Sequence, residues 1–343
     1  MPVDQPFNNQ FRDSRNAGNA NRPGPVKFVF RDLYINHQPI REEKSNGLHD
    51  GSRLLLGENL ELLDRDIRYL KIENDQVHVG WQDEQQAHVV ASMIVDADSF
   101  AIASAINYGL SRRSFDFQLE QAALDGQGHR CRDRECQFCR AKILSMEDYP
   151  WTPQIYCPYC DSLNTTISVE QLHEHEKDYR VCHSCEMYSR PRQFTIAYFY
   201  FVIVHAGVHH RVTRCCPGCM RPHAWKMIFG NLFGVLGMPL AITQLIRVYR
   251  DSIKKGPFQG LDEANRLLRR GRVEKALDRY WKVIDRHPVS AGVLYNVAKG
   301  LIARGDLPHA RQTLQMALEN CANYPPAQRL LDALGPEEAD PAR

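Results

Sequence analysis

The hydrophobic positions of residues 27–115 fall into short runs such as VKFVF, IRYLKI and HVVASMIV, which polar or glycine-bearing turns separate. Runs of this length that are rich in β-branched and aromatic residues are typical of strands. The stretch after them, SFAIASAINYGLSRR, places apolar residues toward one side of a helix, and Asp98 before it is a suitable N-cap. The pattern predicts an N-terminal β domain of antiparallel strands with one helix at its C-terminal end.

Two longer apolar runs lie in the middle of the chain, at residues 194–208 and within residues 229–250. They approach the length of about 20 residues that a membrane-spanning helix needs. Basic residues flank them on every side, namely Arg190, Arg192, Arg211, Arg214, Arg221, Lys226, Arg247, Arg250, Lys254 and Lys255. Positive flanks favour the cytoplasmic side. We therefore expect two helical segments that enter a membrane from the cytoplasm as re-entrant or in-plane hairpins and contact its lipids. A two-helix transmembrane hairpin and a buried core are the alternatives.

The C-terminal residues 261–335 repeat their own pattern with a period of 34 residues. The recurring positions pair Ala264 with Ala298, Leu267 with Leu301, Gly271 with Gly305, Ala276 with Ala310 and Tyr280 with Leu314. This period and this order of small and large residues resemble the tetratricopeptide repeat, whose units are helix–turn–helix pairs. The resemblance implies an all-α region of two repeats that binds a protein or peptide partner in a concave groove. Pro325 and Pro326 suit the start of a final capping helix.

Composition narrows the class of protein. The chain has 343 residues, 43% hydrophobic and 24% charged residues and a formal net charge of +2. We therefore expect a multidomain globular α+β protein, and nucleic acid is not expected as the main partner because bulk positive charge is missing. Residues 1–26, rich in Asn, Arg, Pro and Gly, are predicted to be disordered and show no secretory signal. In the reducing cytoplasm expected from this, paired cysteines favour a metal over a disulfide.

Ten of the eleven cysteines lie between Cys131 and Cys219. Four CxxC hooks account for eight of them, which are Cys136/Cys139, Cys157/Cys160, Cys182/Cys185 and Cys216/Cys219. Because each hook directs two thiolates at one ion and zinc prefers four in a closed tetrahedron, residues 131–226 are predicted to bind two zinc ions. Cys215, Cys321 and Cys131 are predicted to be ordinary thiols.

The pairing of the hooks stays open at the level of sequence. In the simpler scheme the second and third hooks, with 21 residues between them, form a zinc ribbon, and the first and fourth hooks hold the other ion. In the rival scheme the first hook joins the second and the third joins the fourth.

Two further resemblances add expectations. The order Cys182/Cys185, residues 194–208, Cys216/Cys219 is similar to the lipopolysaccharide-induced-TNF-factor type domain, in which a membrane-inserting segment separates two hooks that share one zinc. The strands and final helix of residues 27–115 resemble a pleckstrin-homology-like or GRAM-like barrel. That resemblance implies binding of a lipid headgroup or docking of a protein.

These expectations combine into one hypothesis, a non-enzymatic, zinc-stabilised scaffold at the cytoplasmic side of a membrane that binds a partner through its repeats. No catalytic residue and no site for an organic cofactor is predicted, because the sequence has no phosphate loop, nucleophile elbow or paired-carboxylate motif. One alternative is a zinc ribbon that binds nucleic acid, which depends on a basic cluster of Arg130, Arg132, Arg134 and Arg140. The other alternative is a CxxC redox protein.

Overall fold

The computed structural model describes residues 25–41, 43–58, 60–73, 76–82, 87–95, 99–146, 152–165, 178–202, 205–231, 238–253 and 258–335. The segment predicted to be disordered, residues 1–26, lies outside these ranges except for its last two residues.

The N-terminal region is an eight-stranded antiparallel sheet. Its strands are β1 (Val26–Ile35), β2 (Gln38–Arg41), β3 (Ser45–His49), β4 (Arg53–Leu56), β5 (Leu60–Leu63), β6 (Ile67–Glu73), β7 (Gln76–Gln82) and β8 (His88–Val95). They follow the order β5-β4-β3-β1-β8-β7-β6, with β2 paired to β1. Alternate residues such as Phe28, Phe30, Val77 and Val79 are buried in one core, as half-buried strands require. The β domain is confirmed, whereas closure into a barrel and the pleckstrin-homology-like family stay predictions.

Helix α1 (Ser99–Leu124) connects the sheet to the cysteine region. Ile102 and Ile106 pack into the core of the sheet. Polar residues of the helix, among them Asn107 and Ser111, contact the cysteine region. The Asn107 side chain donates to the Tyr159 carbonyl at 3.0 Å, and Ser111 Oγ accepts the N–H of Lys142 at 2.9 Å. Helix α1 extends beyond the apolar stretch from which it was predicted. Its apolar residues pack on the sheet, and its polar residues bond the region that carries the hooks.

Three short hairpins carry the first three hooks at their tips. They pair β9 (Cys131–Glu135) with β10 (Lys142–Met146), β11 (Gln154–Tyr156) with β12 (Leu163–Thr165), and β13 (Arg180–Val181) with β14 (Tyr188–Ser189).

The apolar run at residues 194–208 is not helical, so this prediction is wrong. The run forms most of a long hairpin of β15 (Arg192–Val202) and β16 (His205–Cys215), in register from one end to the other. The physical reason is its composition, because FTIAYFYFVIV consists mainly of aromatic and β-branched residues, which favour strands over helices.

The second apolar segment, residues 229–250, is divided between α2 (Pro217–Gly230) and α3 (Met238–Ile253), and residues 232–237 between them lie outside the described residues. Both helices pack with β15 in one core. Within the described part of the chain, no helix combines the length and the apolar composition needed to cross a membrane. The predicted location at a membrane is therefore wrong, because the apolar residues that motivated it build a β-hairpin and two short helices instead.

The C-terminal region is all α, as predicted. Its helices are α4 (Leu261–Arg269), α5 (Val273–Ile284), α6 (Ala291–Arg304), α7 (Leu307–Asn320) and α8 (Pro325–Ala333). Consecutive helices pack against each other. The recurring alanines Ala264, Ala276, Ala298 and Ala310 are all buried where the helices meet. The final helix begins at Pro325, while membership of the tetratricopeptide family stays a prediction.

Candidate metal centres

Each of the first three hooks forms a turn of the same conformation. In the first hook the N–H of Cys136 donates to the Ala141 carbonyl at 2.8 Å, and the N–H of Arg140 donates to the Cys136 carbonyl at 2.9 Å. The same two bonds recur at the same offsets in the second and third hooks. The residue after the second cysteine has a left-handed backbone each time, with φ of 61° at Arg140, 59° at Asp161 and 54° at Glu186. Since this conformation is unfavourable for residues with a Cβ, its recurrence shows that the turn is set by the hook.

The fourth hook is built on a helix end. Cys216 is the N-cap of α2, and Pro217 follows it in the first turn. The Sγ atom of Cys216 accepts the N–H of Cys219 at 3.4 Å. Because the N-terminus of a helix stabilises negative charge, this position favours the thiolate form that a metal requires.

The first cysteine cluster consists of Cys136, Cys139, Cys157 and Cys160, whose sulfurs lie within 4.8 Å of one another. The sulfurs of Cys136 and Cys160 are 3.6 Å apart, and those of Cys139 and Cys157 are 3.7 Å apart. A zinc–sulfur bond of about 2.3 Å gives a tetrahedron with edges of about 3.8 Å. The four buried thiols therefore have the spacing of a metal site.

The second cysteine cluster consists of Cys182, Cys185, Cys216 and Cys219, within the same 4.8 Å limit. The sulfurs of Cys185 and Cys216 are 3.8 Å apart, and the N–H of Cys216 donates to Cys182 Sγ at 3.3 Å. Cys185 and Cys219 are partly exposed. The Arg269 guanidinium donates to Cys219 Sγ at 3.0 Å and places a positive charge beside the cluster.

The structure therefore joins the first hook to the second and the third to the fourth, and the simpler of the two predicted pairings is wrong. The first and second hooks lie at the tips of hairpins whose contact is fixed by a bond from the Gln137 N–H to Asn164 Oδ1 at 2.8 Å. The third and fourth hooks are brought together because β14 and the long β15–β16 hairpin return the chain to Cys216. Pairing hooks that are neighbours along the chain also avoids closing the longest loop.

The electrostatics of both clusters favour a bound cation. Hydrogen bonds, first from Cys139, lower the pKa of Cys136 well below its usual range, whereas Cys136 raises the pKa of Cys139 far above it. In the second cluster Cys185 lowers the pKa of Cys182, and Cys182 raises that of Cys216. Four buried thiols at this spacing cannot all ionise without an opposite charge among them. A divalent cation at the centre supports all four thiolates together, and each cluster is compatible with one zinc ion.

Asparagine side chains dock both clusters onto the C-terminal region, from the turn between α7 and α8 for the first cluster and from helices for the second. Beside the first cluster, Asn323 Oδ1 accepts the N–H of Tyr156 at 2.9 Å, and Asn323 Nδ2 donates to the Tyr156 carbonyl at 3.0 Å. Beside the second, Asn296 makes the same two bonds to Tyr188 at 2.8 and 2.7 Å. Asn265 adds a third bond to the Tyr188 carbonyl at 2.9 Å. In each docking contact the asparagine amide pairs with both the N–H and the carbonyl of one strand residue, as a neighbouring strand would.

The side chain of Tyr188 is fully buried at this junction. Its ring lies so close to Gly292 of α6 that an added Cβ would be 2.4 Å from the ring. The asparagine-bearing face of α4 and α6 is thus covered by the chain's own strand β14, and one hydrophobic core continues from the hooks into the helices.

Sequence reasoning did not identify these asparagines. Asn265 and Asn296 lie inside helices, where asparagine is unfavourable because its side chain competes for the main chain, and this was a usable signal. Their common partner Tyr188 is 77 and 108 residues away along the chain, and no local pattern indicates such a contact.

The remaining predicted residues lie elsewhere. Cys215 and Cys321 belong to neither cluster, and burial raises the pKa of each thiol to about 12. In the predicted basic cluster, Arg132 donates to the His129 carbonyl at 3.1 Å and Arg140 lies 3.9 Å from Glu135. These arginines are engaged in local contacts.

No protein-family model, no curated protein and no solved structure matches the chain. The geometry of the two clusters and of their docking contacts therefore carries the functional argument.

Proposed function

We propose that this protein is a non-enzymatic adaptor in which two structural zinc ions fix an N-terminal β domain to a C-terminal helical repeat unit, and that the repeat unit binds a protein partner. The observation that carries the proposal is the pair of four-cysteine clusters, each of which is bonded to the helices through an asparagine.

The role of zinc as a structural ion follows from the donor set. Four sulfurs at tetrahedral spacing leave no open coordination position for a substrate or an activated water, whereas catalytic zinc keeps one. The hairpins that carry the hooks are only two to five residues per strand, so metal binding would supply folding energy that they cannot obtain from burial.

The partner-binding surface is proposed on the outer face of the helices. The face of α4 and α6 that carries Asn265 and Asn296 is filled by β14, so an external peptide would have to displace Tyr188. Large apolar side chains are exposed instead on α5 and α7, where Trp281, Leu307 and Met316 are each about 45% exposed. Exposed aromatic and methionine side chains are enriched at protein interfaces.

Metal analysis tests the zinc half of the proposal. The purified full-length protein is expected to contain two zinc ions per chain, and removal of zinc with a chelator is expected to detach the hairpins from helices that stay folded. Circular dichroism would then retain most of its helical signal while near-ultraviolet signals of Tyr156 and Tyr188 are lost. A metal-free protein with an unchanged spectrum would refute the proposal.

Site-specific photocrosslinking tests the adaptor half. A photoreactive phenylalanine analogue at position 281 is expected to give a discrete protein adduct in cells, and the same analogue at Arg329, an exposed position on α8, serves as the control. Substitution of Leu307 by Asp should abolish the adduct at position 281. Equal labelling at positions 281 and 329, or insensitivity to Leu307→Asp, would contradict a partner site on this face.

A further inference from the structure

A cleft with a volume of about 630 Å³ lies where α2, α3 and α4 meet, directly beside the second cysteine cluster. Its lining includes four arginines, which are Arg221, Arg266, Arg269 and Arg270. Glu263 is the acidic residue among the described lining residues. This volume lies within the range of about 300–1,000 Å³ that is typical of sites for small molecules.

Two of the arginines are held in position by the fold. Arg269 donates through Nη1 to Cys219 Sγ at 3.0 Å and through Nε to the Asn265 carbonyl at 3.3 Å. Gly218 permits this placement, because a Cβ there would lie 2.1 Å from Arg269 Nη2. Arg266 forms a two-pronged hydrogen bond with Glu263, with one contact at 2.9 Å. The guanidinium groups are therefore directed by neighbours and do not simply extend into solvent.

The charges of the cleft do not cancel. Four arginines stand against one carboxylate among the described lining residues, and Arg269 lies against the thiols of the second cluster, so positive charge is in excess on the walls. Guanidinium groups in this number match an anion with several oxygens, and arginine binds phosphate through paired N–H donors.

Aromatic rings form the other wall. Trp225 and Tyr249 line the cleft, and the Trp225 Nε1–H donates to the Tyr249 hydroxyl at 3.2 Å. Phe229 stacks on Trp225 with ring centres 6.1 Å apart, and Arg221 lies 5.1 Å from the centre of the Tyr249 ring. Trp225 is 43% exposed and the neighbouring Phe229 is 64% exposed. Adjacent exposed aromatic side chains of this size often mark a binding site. A planar ring stacked on Trp225 within the cleft would cover the exposed part of its side chain.

We propose that this cleft binds a nucleoside phosphate, with the phosphates on Arg270, Arg266 and Arg221 and the base against Trp225 and Tyr249. The arginines alone would suit any phosphate or carboxylate. The exposed aromatic platform within the same cleft selects an anion that also carries a planar ring. A mononucleotide carries both a phosphate and a planar base, so it is the smallest ligand that matches both walls of the cleft. This site would be distinct from the proposed partner surface on α5 and α7.

Calorimetric titration of the zinc-loaded full-length protein with ADP, GDP, CDP and UDP tests the proposal. At least one of them is expected to bind with a dissociation constant below about 1 mM. Arg270→Gln, which removes an exposed charge of the cleft, is expected to weaken binding about tenfold, and Trp225→Leu to weaken it by a similar factor. Arg329→Gln removes an exposed arginine on α8, outside the cleft, and should leave binding unchanged. Zinc content and the midpoint of urea unfolding must match the wild type in each variant that is compared.

Pyrophosphate, adenosine and an eight-nucleotide single strand complete the experiment. Both pyrophosphate and adenosine are expected to bind more weakly than the best nucleotide, because each offers half of the recognised chemistry. The inference is overturned if none of the four nucleotides binds below about 1 mM. It is also overturned if pyrophosphate binds as tightly as the nucleotides and Trp225→Leu has no effect, or if the oligonucleotide binds without competition from any nucleotide.

Discussion

The two cysteine clusters contain the same four ligands but lie in different settings. All four cysteines of the first cluster are buried, and both of its hooks are hairpin tips with the same left-handed turn. The second cluster combines one such tip with the N-terminus of α2, and its Cys185 and Cys219 reach the surface. The first is enclosed by protein on every side, whereas the second borders an arginine-lined cleft.

The same set of four cysteines can therefore serve two structural roles, which are to join parts of the fold and to position the residues of a cleft. The first cluster touches α1 on one side, through the bond from Ser104 Oγ to the Cys139 carbonyl at 3.3 Å, and the repeat helices on the other, through Asn323. It therefore holds the sheet and the helices together. The second cluster positions Arg269 and the start of α2, so its metal would shape the cleft as well as the fold.

The largest expected effect is the loss of a ligand from the first cluster. Cys157→Ser should remove one zinc ion per chain and lower the free energy of unfolding of the central region by about 5 kcal/mol or more, because structural zinc supplies much of the folding energy of small hairpins. Cys219→Ser should also cost one zinc ion but less stability, since its hook remains part of α2. Metal analysis and urea unfolding measure both effects.

Cys215→Ser is the matched control for both variants. Cys215 is buried next to Cys216 but belongs to neither cluster, so two zinc ions should remain bound. If all three substitutions lowered the free energy of unfolding equally, the stability would depend on burial of the thiols and not on metal binding.

The next effect concerns the asparagines that dock the clusters. Asn296→Ala leaves the buried N–H of Tyr188 without an acceptor, and it should lower the free energy of unfolding by about 3 kcal/mol. Asn323 is half-buried, so Asn323→Ala should cost about 1–2 kcal/mol. Gln315→Ala, at an exposed position of α7, should change the stability by less than about 0.5 kcal/mol. A larger loss for Asn323→Ala than for Asn296→Ala would reverse the comparison of the two clusters.

The parts that sequence reasoning predicted are those that depend on local pattern. The strands of residues 27–115, the helix start at Pro325 and the grouping of Cys136 to Cys219 into fours all follow from spacing and periodicity. The pairing of the hooks depends on where hairpins pack, which spacing does not encode. The length and apolar content of residues 194–208 predict a helix, whereas their aromatic and β-branched side chains favour the strands that form. The contact of Tyr188 with Asn296 is non-local, and the cleft exists only because α2 packs on α4.

Thiol labelling should distinguish the clusters kinetically. In the presence of a chelator, Cys185 and Cys219 should react with N-ethylmaleimide about tenfold faster than Cys136 and Cys157, because partly exposed thiols become accessible by smaller openings. Mass spectrometry of peptides from timed samples measures each rate, and the partly exposed Cys131, outside both clusters, provides the reference. A single rate for all eight hook cysteines would mean that the two clusters open together, and the contrast between them would then have no consequence in solution.

The smallest expected effect is Glu263→Gln, which changes only the surroundings of the second cluster. A hydrogen bond from Arg266 lowers the pKa of Glu263 below its ordinary value of 4.5. A carboxylate whose pKa is lowered on folding stabilises the protein above the unfolded value and loses this contribution as the pH falls through the folded value. The substitution should therefore cost about 0.5 kcal/mol at pH 7, a difference that shrinks as the pH falls below 4.5 and also in high salt. Paired urea titrations of the wild type and the variant measure this difference, since any loss of zinc in acid affects both proteins alike. A difference that stays constant with pH would show that Glu263 acts through packing. Its carboxylate could then not be counted as offsetting the charge of Arg266 in the cleft.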